Sequence, residues 1–341
     1  MSLSPYLERL ANRQHLSSEE AEAAMQAILN GLASQPQIAA FLVALRMKGE
    51  TAGELVGFAR AMRRMAAKVD PALNGAALLD TCGTGGDGAG TFNISTVAAF
   101  VVAGAGVHVA KHGNRSASGR PGCGSADLLE SLGIEIALPP ERTARAIREI
   151  GIGFLFAPAV HTAMKHAQPV RVELKMRTVF NLLGPLTNPA AANAQLVGAP
   201  SPHAAELIAT ALAALGLRHG FVVHGSDGLD EITTTGPTLA YEVACGQVLL
   251  RELEPADFAV RTACPDDLKG AGKEANLAIA RAVLAGERGP HRDIVIANAS
   301  AGLVAAGHVE TFLEGAAIAA VSIDSGAASR KVEALGRFTH S

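Results

Sequence analysis

The segment that most constrains the fold is a glycine-rich stretch at residues 80–96, which reads DTCGTGGDGAGTFNIST. An apolar run at residues 76–79 precedes it, and a run of small apolar residues at 97–102 follows it. This order is typical of a strand, a glycine loop and a helix. A helix start offers unpaired N–H groups and partial positive charge, and glycines let a ligand approach the backbone closely. The segment therefore predicts a phosphate-binding loop.

The charged residues that follow the last Asp of this loop have one sign up to residue 126. From residue 88 to residue 126 the chain has no Asp or Glu, whereas Lys111, His112, Arg115 and Arg120 lie within that span. The whole chain has a net charge of −3 and a pI near 6.4. Because the positive charge is local, the sequence favours a small anionic ligand and predicts neither nucleic acid nor a membrane surface as a partner.

Two common phosphate motifs do not fit the loop. The spacing of Gly83, Gly85 and Gly88 matches the dinucleotide fingerprint, but that fingerprint needs an acidic residue about 20 positions further on, and none is present there. The Walker motif fails because no Gly-Lys-Ser/Thr closes the loop. A glycine turn without any ligand is the structural alternative.

The pattern of apolar residues divides the chain into two parts. The first 70 residues show only helical patterns, with capping boxes at Ser17/Glu20 and Thr51/Glu54. Apolar runs then alternate with helical patterns, which is typical of an α/β sheet. The predicted strands are 107–110, 153–157, 194–198 and 220–224, and the predicted helices are 125–132, 140–150, 202–215, 278–284, 292–306 and 311–323.

The cysteines and the chain start indicate a cytoplasmic location. Four cysteines are scattered without metal-ligand spacing, which fits a reducing compartment. The first 13 residues lack the apolar core of a signal peptide, and no apolar stretch reaches membrane length.

Two further clusters of polar residues follow predicted strands. Residues 111–115 read KHGNR and residues 224–231 read HGSDGLDE. Open α/β sheets bind ligands at the carboxyl ends of their strands. Lys111 and Arg115 would supply positive charge there, and Asp230 and Glu231 would supply the hard oxygen ligands that Mg²⁺ takes alongside substrate phosphates. Taken singly, the clusters also fit a solvated loop and an Asp-Gly turn; together they predict a magnesium-bridged polyphosphate site.

These motifs, in this order, resemble those of the anthranilate phosphoribosyltransferase family. The motifs are GTGGD at 83–87, NIST at 93–96, KHGNR at 111–115, GSAD at 124–127, RTVFNLLGPLTNP at 177–189 and DE at 230–231. The resemblance spans nearly the whole chain. It implies a small all-helical domain plus a large α/β domain with a mainly parallel central sheet, of the nucleoside phosphorylase/phosphoribosyltransferase type. The helical domain would comprise residues 1–72, joined by about 168–190, and the α/β domain residues 73–341, in a homodimer.

The activity that this resemblance implies is transfer of a phosphoribosyl group. The donor would be 5-phosphoribosyl-1-pyrophosphate (PRPP), the acceptor the amine of anthranilate, the cofactor Mg²⁺ and the pathway tryptophan biosynthesis. The implied catalytic residues are His112, Asn114 and Arg171, and the implied metal ligands are Ser95, Asp230 and Glu231. The implied substrate contacts are Gly83, Gly86, Asp87, Thr91, Asn93, Ile94, Ser95, Thr96, Lys111, His112, Gly113, Asn114, Arg115, Ser118, Gly119, Ser125 and Arg171.

Several roles stay open at this point. Arg171 can hold the anthranilate carboxylate through its fork of donors, or form an exposed helix ion pair. His112 can accept the amine proton or hydrogen-bond the carboxylate. The resemblance extends to His161 and His166 near the acceptor, although the residues alone indicate surface positions.

One loop departs from the family pattern. The family has a short segment with a serine pair between its KHGNR and GSAD motifs; here residues 116–123 make that segment two residues longer, and Gly119 stands where the second serine is expected. Ser125 or the backbone of Gly119 would replace that phosphate contact, and Arg120 would add charge.

Two rival functions remain. A pyrimidine nucleoside phosphorylase-like enzyme would use inorganic phosphate, and the carboxylate pair favours the transferase instead. A non-catalytic nucleic-acid-binding relative would need a basic groove and altered acceptor residues, whereas this chain is mildly acidic and has Asn114 and Arg171.

Overall fold

A computed structural model describes residues 3–85, 88, 90–116 and 123–341. Four predicted substrate contacts, Gly86, Asp87, Ser118 and Gly119, lie outside these described residues.

Four helices form the N-terminal part: α1 (Ser4–Ala11), α2 (Ser18–Leu29), α3 (Gln35–Lys48) and α4 (Ala52–Met65). Side-chain caps set three of their starts, because Ser17, Ser34 and Thr51 each accept a hydrogen bond from the N–H three residues on. The Glu or Gln at that third position accepts in return from the cap residue's N–H, which completes a capping box. The two boxes predicted from the sequence are confirmed, and the third, at Ser34, was not predicted.

The strands of the described residues form one seven-stranded sheet in the order β3-β2-β1-β4-β5-β6-β7. The first five strands in this order, β3, β2, β1, β4 and β5, run parallel to one another. Strand β6 pairs antiparallel with β5, and β7 pairs antiparallel with β6. The strands are β1 (Leu78–Asp80), β2 (His108–Gly113), β3 (Ile152–Phe156), β4 (Ala194–Gly198), β5 (His219–Gly225), β6 (Thr238–Ala244) and β7 (Gln247–Leu253). The prediction of a mainly parallel sheet is confirmed. The strand order reverses at β1, between β2 and β4, where such sheets open a crevice.

Eleven further α-helices among the described residues surround the sheet. They are α5 (Ile94–Gly104), α6 (Ser125–Ser131), α7 (Pro140–Ile150), α8 (Ala157–Val160), α9 (Gln168–Leu174), α10 (Phe180–Leu183), α11 (Pro202–Ala214), α12 (Lys273–Leu284), α13 (Pro290–Ala305), α14 (Phe312–Asp324) and α15 (Ala327–Thr339). No helix in this described part is long and apolar enough to cross a membrane.

Alternate residues of β4 and β5 enter opposite cores. Leu196 and Phe221 join a core with α5, α13 and α14 on one face of the sheet. Val197 and Val222 join a second core on the other face, with α11 and the N-terminal helices. Because Phe41 of α3 and Val170 of α9 lie in that same second core, the N-terminal helices, the segment around α9 and the sheet share one apolar interior.

Three parts of the fold differ from the sequence expectation. The β6–β7 hairpin and α15 were not predicted; β7 is an exposed edge strand whose apolar residues do not alternate in burial. The prediction that a strand ends at residue 110 is wrong. Strand β2 continues through Lys111 and His112, whose polar side chains are nevertheless buried.

A buried ion pair fixes the N-terminal helices to one another. Lys48 Nζ lies 2.9 Å from Glu54 Oε2, and both side chains are at most 1% exposed. Glu54 also accepts hydrogen bonds from the backbone N–H groups of Leu16 and Thr51. The carboxylate therefore links the start of α2, the end of α3 and the start of α4.

Replacing Glu54 by Ala should lower the free energy of unfolding by about 3–5 kcal/mol, because Lys48 is left as an uncompensated buried charge. Denaturant unfolding monitored by circular dichroism measures this value. The matched control is Glu22→Ala, whose partner Arg64 is 66% exposed; it should cost less than about 1 kcal/mol. Equal losses in the two variants would contradict the structural role assigned to Glu54.

Candidate functional site

The glycine loop after β1 meets the ends of β4 and β5. The backbone N–H and the hydroxyl of Thr84 donate to the carbonyl of Gly198 at 2.9 and 3.3 Å. A Cβ added to Gly83 would lie 3.4 Å from Asp230 Oδ2, and one added to Gly198 would lie 1.5 Å from the Asp230 carbonyl oxygen. Only a glycine at 198 therefore lets the chain after β5 approach the loop this closely.

Helix α5 begins beside a carboxylate. The backbone N–H of Ser95, in its first turn, donates to Glu231 Oε1 at 3.2 Å. The positive end of the helix thus faces one member of the predicted metal-binding pair.

Asn93 occupies the cap position of α5, but its side chain makes no capping bond. Its Nδ2 instead donates to the carbonyl of Cys123 at 2.7 Å, and its Oδ1 accepts from Asn276 Nδ2 at 3.3 Å. The side chain of Asn93 therefore does not cap the helix, although Asn is a residue type that commonly does so at this position. Asn93 connects the helix start to α12 and to the chain leading into α6.

Lys111 places a buried ammonium group between the loop and the helix. Its Nζ donates to the carbonyl and the hydroxyl of Thr81, both at 3.1 Å, and to Ser95 Oγ at 3.4 Å. The side chain is 4% exposed, and burial lowers its pKa while the nearby Asp80 and Glu231 oppose that shift. The structure therefore brings Ser95, Lys111 and Glu231 together, as the sequence predicts.

Asp80, at the end of β1, holds the neighbouring backbone. Its Oδ1 accepts from the N–H of His112 at 3.0 Å and its Oδ2 from Asn188 Nδ2 at 2.7 Å. Asn188 Nδ2 also donates to the carbonyl of Ala110. Burial raises the pKa of Asp80 to about 6, and the bonds from Asn188 and His112 oppose the shift. Asp80 thereby fixes β2 and the 185–189 segment relative to β1.

The carboxylate pair is held from α13. Asn298, fully buried, accepts from the N–H of Ile232 at 3.0 Å and donates to the carbonyls of Ile232 and Ile294, both at 2.9 Å. Its amide therefore pairs with both backbone groups of the residue next to Glu231, which fixes where that carboxylate stands.

The Asp-Gly turn is separate from the carboxylate pair. Asp227 accepts hydrogen bonds from the N–H of Leu229 and from the hydroxyls of Thr233 and Thr235, the latter two at 2.6 Å. The turn alternative thus accounts for Asp227 but not for Asp230 and Glu231.

The donor set at Asp230 and Glu231 fits Mg²⁺. Both side chains belong to half-buried residues, Asp230 faces Gly83, and Glu231 faces the start of α5. Mg²⁺ commonly takes one or two carboxylates and completes its octahedron with phosphates and water.

A second cluster does not fit this ion. Within the described ranges, ligand atoms of Asp80, Cys82 and His112 lie within 4.8 Å of one another. Burial raises the pKa of the Cys82 thiol, which is therefore protonated, and both Asp80 oxygens accept hydrogen bonds.

Two buried histidines lie side by side behind β2. The rings of His112 and His161 are 5.1 Å apart, and the two residues are 3% and 6% exposed. His112 Nδ1 lies 3.1 Å from the carbonyl of Gly184, so it carries the proton. In both rings Nε2 is buried and has no hydrogen-bond partner among the described residues. The residue-based expectation of a surface position is wrong for His161.

Arg171 is half-buried on α9. Its guanidinium lies 5.2 Å from the centre of the Phe180 ring, and Nη1 donates to Gln168 Oε1 at 3.5 Å. Burial lowers its pKa. No carboxylate of the described residues forms a salt bridge with it, so the ion-pair alternative is wrong.

Several predicted contacts have side chains that are paired within the protein or buried. The guanidinium of Arg115 bonds both oxygens of Glu130 at 2.6 Å and Asp127 at 3.2 Å, so α6 balances its charge. Ile94 and Thr96 are each 1% exposed, which leaves their backbone as the part able to meet a ligand.

The remaining predicted contacts pack against other parts of the protein. Thr91 forms a bridge with Lys269. Ser125 Oγ donates to the carbonyl of Asn114 at 3.2 Å. A Cβ added to Gly113 would lie 2.2 Å from Ser125 Oγ.

Comparisons with known proteins agree with this architecture. Family models described as "Glycosyl transferase family, helical bundle domain" and "Glycosyl transferase family, a/b domain" match residues 4–66 and 75–329. The chain is 73% identical to the anthranilate phosphoribosyltransferase of Solibacter usitatus over 100% of both chains. The chain belongs to the anthranilate phosphoribosyltransferase family.

Solved structures of this family superpose closely on the chain. The Thermus thermophilus anthranilate phosphoribosyltransferase has a TM-score of 0.92 and 45% identity, covering 98% of this chain and 99% of its own. The Saccharomyces cerevisiae enzyme in complex with PRPP and Mg has a TM-score of 0.88 and 30% identity, covering 99% and 98%. The same yeast enzyme in complex with 4-fluoroanthranilate has a TM-score of 0.86 and 28% identity, with the same coverage.

Three residues of this family member were not singled out from the sequence although they shape the site. Asp80 offered a signal, because it is a lone carboxylate at the end of an apolar strand. Asn188 lies within the quoted 177–189 motif. Asn298 offered no signal in the sequence. It lies within a run of small helical residues, and its role is evident only once its partner Ile232 is known.

The buried histidine pair should make stability depend on pH. Burial lowers the pKa of His112 to about 4 and of His161 to about 3, below their ordinary value of 6.5. The unfolded chain therefore binds protons first, and the stabilising contribution, complete above pH 6.5, is lost as the pH falls towards these values. Relative to His161→Asn, the wild type should lose about 2 kcal/mol of unfolding free energy between pH 7 and pH 5.

Urea unfolding at a series of pH values measures this difference. The exposed His308 provides the control, because His308→Asn should run parallel to the wild type. Parallel curves for His161→Asn would contradict a neutral, buried His161.

Proposed function

We propose that this protein transfers the phosphoribosyl group of PRPP to the amine of anthranilate, giving N-(5-phosphoribosyl)anthranilate and pyrophosphate in tryptophan biosynthesis. One observation carries the proposal. The backbone N–H of Ser95 donates to Glu231 Oε1 at 3.2 Å, and Lys111 Nζ donates to Ser95 Oγ at 3.4 Å. A helix start, a buried cation and one member of the carboxylate pair thus lie side by side, which supports a site for a magnesium-bound diphosphate.

The donor would lie along the loop after β1. Displacement at the anomeric carbon produces an oxocarbenium-like centre and a departing diphosphate, so the protein's main task is to stabilise negative charge. The backbone at Gly83, the start of α5 and the ammonium group of Lys111 supply donors and positive charge. Gly86, Asp87, Thr91, Ser118 and Gly119 are proposed donor contacts on family resemblance alone.

Asp230 and Glu231, with Ser95, are the proposed magnesium ligands. The ion, when bound, neutralises charge on the leaving diphosphate. Asn298 holds the backbone beside Glu231, and Gly198 allows Asp230 to approach the loop.

The acceptor would lie between β2 and α9. Arg171 offers two parallel N–H donors, which match a carboxylate, and Phe180 supports its guanidinium from one side. His112 has its Nδ1 proton held by Gly184, so its Nε2 presents a lone pair suited to accepting a hydrogen bond from the amine. Asn114, exposed at the end of β2, would contact anthranilate at the rim.

Neither rival explains the site as well. Inorganic phosphate, the substrate of a nucleoside phosphorylase, gives the carboxylate pair no diphosphate to share a metal with. The family assignment also favours the transferase. A homodimer in the cytoplasm, without nucleic-acid or membrane partners, and the division at residues 72 and 73 stay predictions.

The double variant Asp230→Asn, Glu231→Gln should lose at least about 100-fold in turnover at saturating PRPP, because the metal loses its protein carboxylates. The decrease in anthranilate fluorescence measures turnover, over a range of Mg²⁺ concentrations. The matched control is Glu19→Gln with Glu20→Gln, an adjacent acidic pair on α2, which should behave as the wild type. Full activity of the 230/231 variant would reject the metal assignment.

Arg171→Ala should raise the apparent Michaelis constant for anthranilate about tenfold or more, with a smaller change for PRPP, because it removes a charged pair of donors. Steady-state kinetics with each substrate varied in turn measures both constants. The control is Arg337→Ala, whose side chain is 74% exposed on α15. A larger effect on the PRPP constant would place Arg171 on the donor instead.

A further inference from the structure

One side chain connects the acceptor side of the pocket to the glycine loop. Arg177, in the chain between α9 and α10, donates from Nη1 to the carbonyl of Gly85 at 2.8 Å. The two residues are 92 positions apart in the sequence. Gly85 has a φ of +65°, so its carbonyl direction depends on a left-handed backbone conformation.

The backbone on both sides of Arg177 is fixed. Lys175, with a φ of +48°, ends α9 in a left-handed conformation. Thr178 is 3% exposed, and its N–H donates to Asn181 Oδ1 at 2.9 Å. The guanidinium of Arg177 is therefore presented to the loop from an ordered base.

The same short segment supports Arg171, the residue proposed to bind the anthranilate carboxylate. Phe180, 7% exposed and three residues after Arg177, provides the ring over which the Arg171 guanidinium lies. The proposed acceptor cation and the hydrogen bond to the donor loop thus belong to one piece of chain, at residues 171–180.

We propose that Arg177 is a positioning residue that couples the binding of the two substrates, an inference that rests on the proposed function. A diphosphate that holds the Gly85 carbonyl towards Arg177 favours the arrangement of residues 175–180 in which Phe180 supports Arg171. Anthranilate bound at Arg171 favours the same arrangement from the other side. Such coupling is reciprocal, so each ligand increases the affinity for the other by the same factor.

The coupling is measured by binding alone. Anthranilate is titrated by its own fluorescence, with and without saturating magnesium pyrophosphate, a probe that occupies the donor loop but cannot react. For the wild type, pyrophosphate should tighten anthranilate binding about tenfold, the effect expected of one charge-assisted hydrogen bond. In Arg177→Met the factor should fall to near one, while anthranilate affinity without pyrophosphate changes little.

Two further variants separate positioning from folding. Arg177→Lys keeps the charge and a donor, and should regain part of the factor. Arg337→Met, on α15, makes the same substitution at an exposed position and should keep all of the factor. Because Arg177 is half-buried and its bond to Gly85 is exposed, both 177 variants should keep a wild-type melting temperature.

The outcomes are distinct. Two results would overturn the role of Arg177 while wild-type turnover leaves the proposed function standing. In one, pyrophosphate tightens anthranilate binding as much in Arg177→Met as in the wild type. In the other, pyrophosphate does not tighten anthranilate binding in the wild type. Absence of wild-type turnover from PRPP and anthranilate overturns the proposed function, and this inference with it.

Discussion

Lys111 carries a positive charge into the interior of the protein at the point where β1, β2 and α5 meet. An isolated buried ammonium group is costly, and three oxygen acceptors from Thr81 and Ser95 surround this one. Asp80 and Glu231 supply the opposing charge. The geometry of the pocket follows from this requirement, because the loop after β1 and the start of α5 must both stay close enough to solvate the same nitrogen. The buried cation is also what a departing diphosphate needs, so the group that organises the site is suited to its chemistry.

Glycine and asparagine residues convert this charge arrangement into fixed positions. Gly198 has no side chain where the Asp230 carbonyl comes within contact distance, and Gly83 leaves room for the Asp230 carboxylate. The amide of Asn188 donates to the Asp80 carboxylate and the Ala110 carbonyl, and the amide of Asn298 pairs with both backbone groups of Ile232. The backbone that carries the carboxylates is therefore already fixed. Ligand binding then costs little conformational entropy at this segment.

The sequence predicted those features that depend on neighbouring residues. Capping boxes, the strand before the glycine loop and the helix after it are local patterns, and each is present. The order of motifs also indicated the family. Burial of Lys111 and His112 at a strand end, and of His161 after α8, could not be predicted, because such polar residues look solvated until their tertiary neighbours are known. The same reason explains Asn298 and Arg177, whose partners lie 66 and 92 residues away. Whether a polar side chain is cap, ligand or bridge was decided by tertiary contacts, as Asn93 shows.

The apolar interior shared by the N-terminal helices, α9, α11 and one face of the sheet limits how the molecule can move. Phe41 and Phe58 pack edge to face within it, and Val197 and Val222 of the sheet belong to the same layer. A wide hinge between the N-terminal helices and the sheet would expose this layer to water. A shear motion, in which packed helices slide by about an ångström, would keep it covered. Entry of an aromatic acid and release of a larger product are therefore expected to rely on rearrangement of the connecting chain segments over a nearly rigid body.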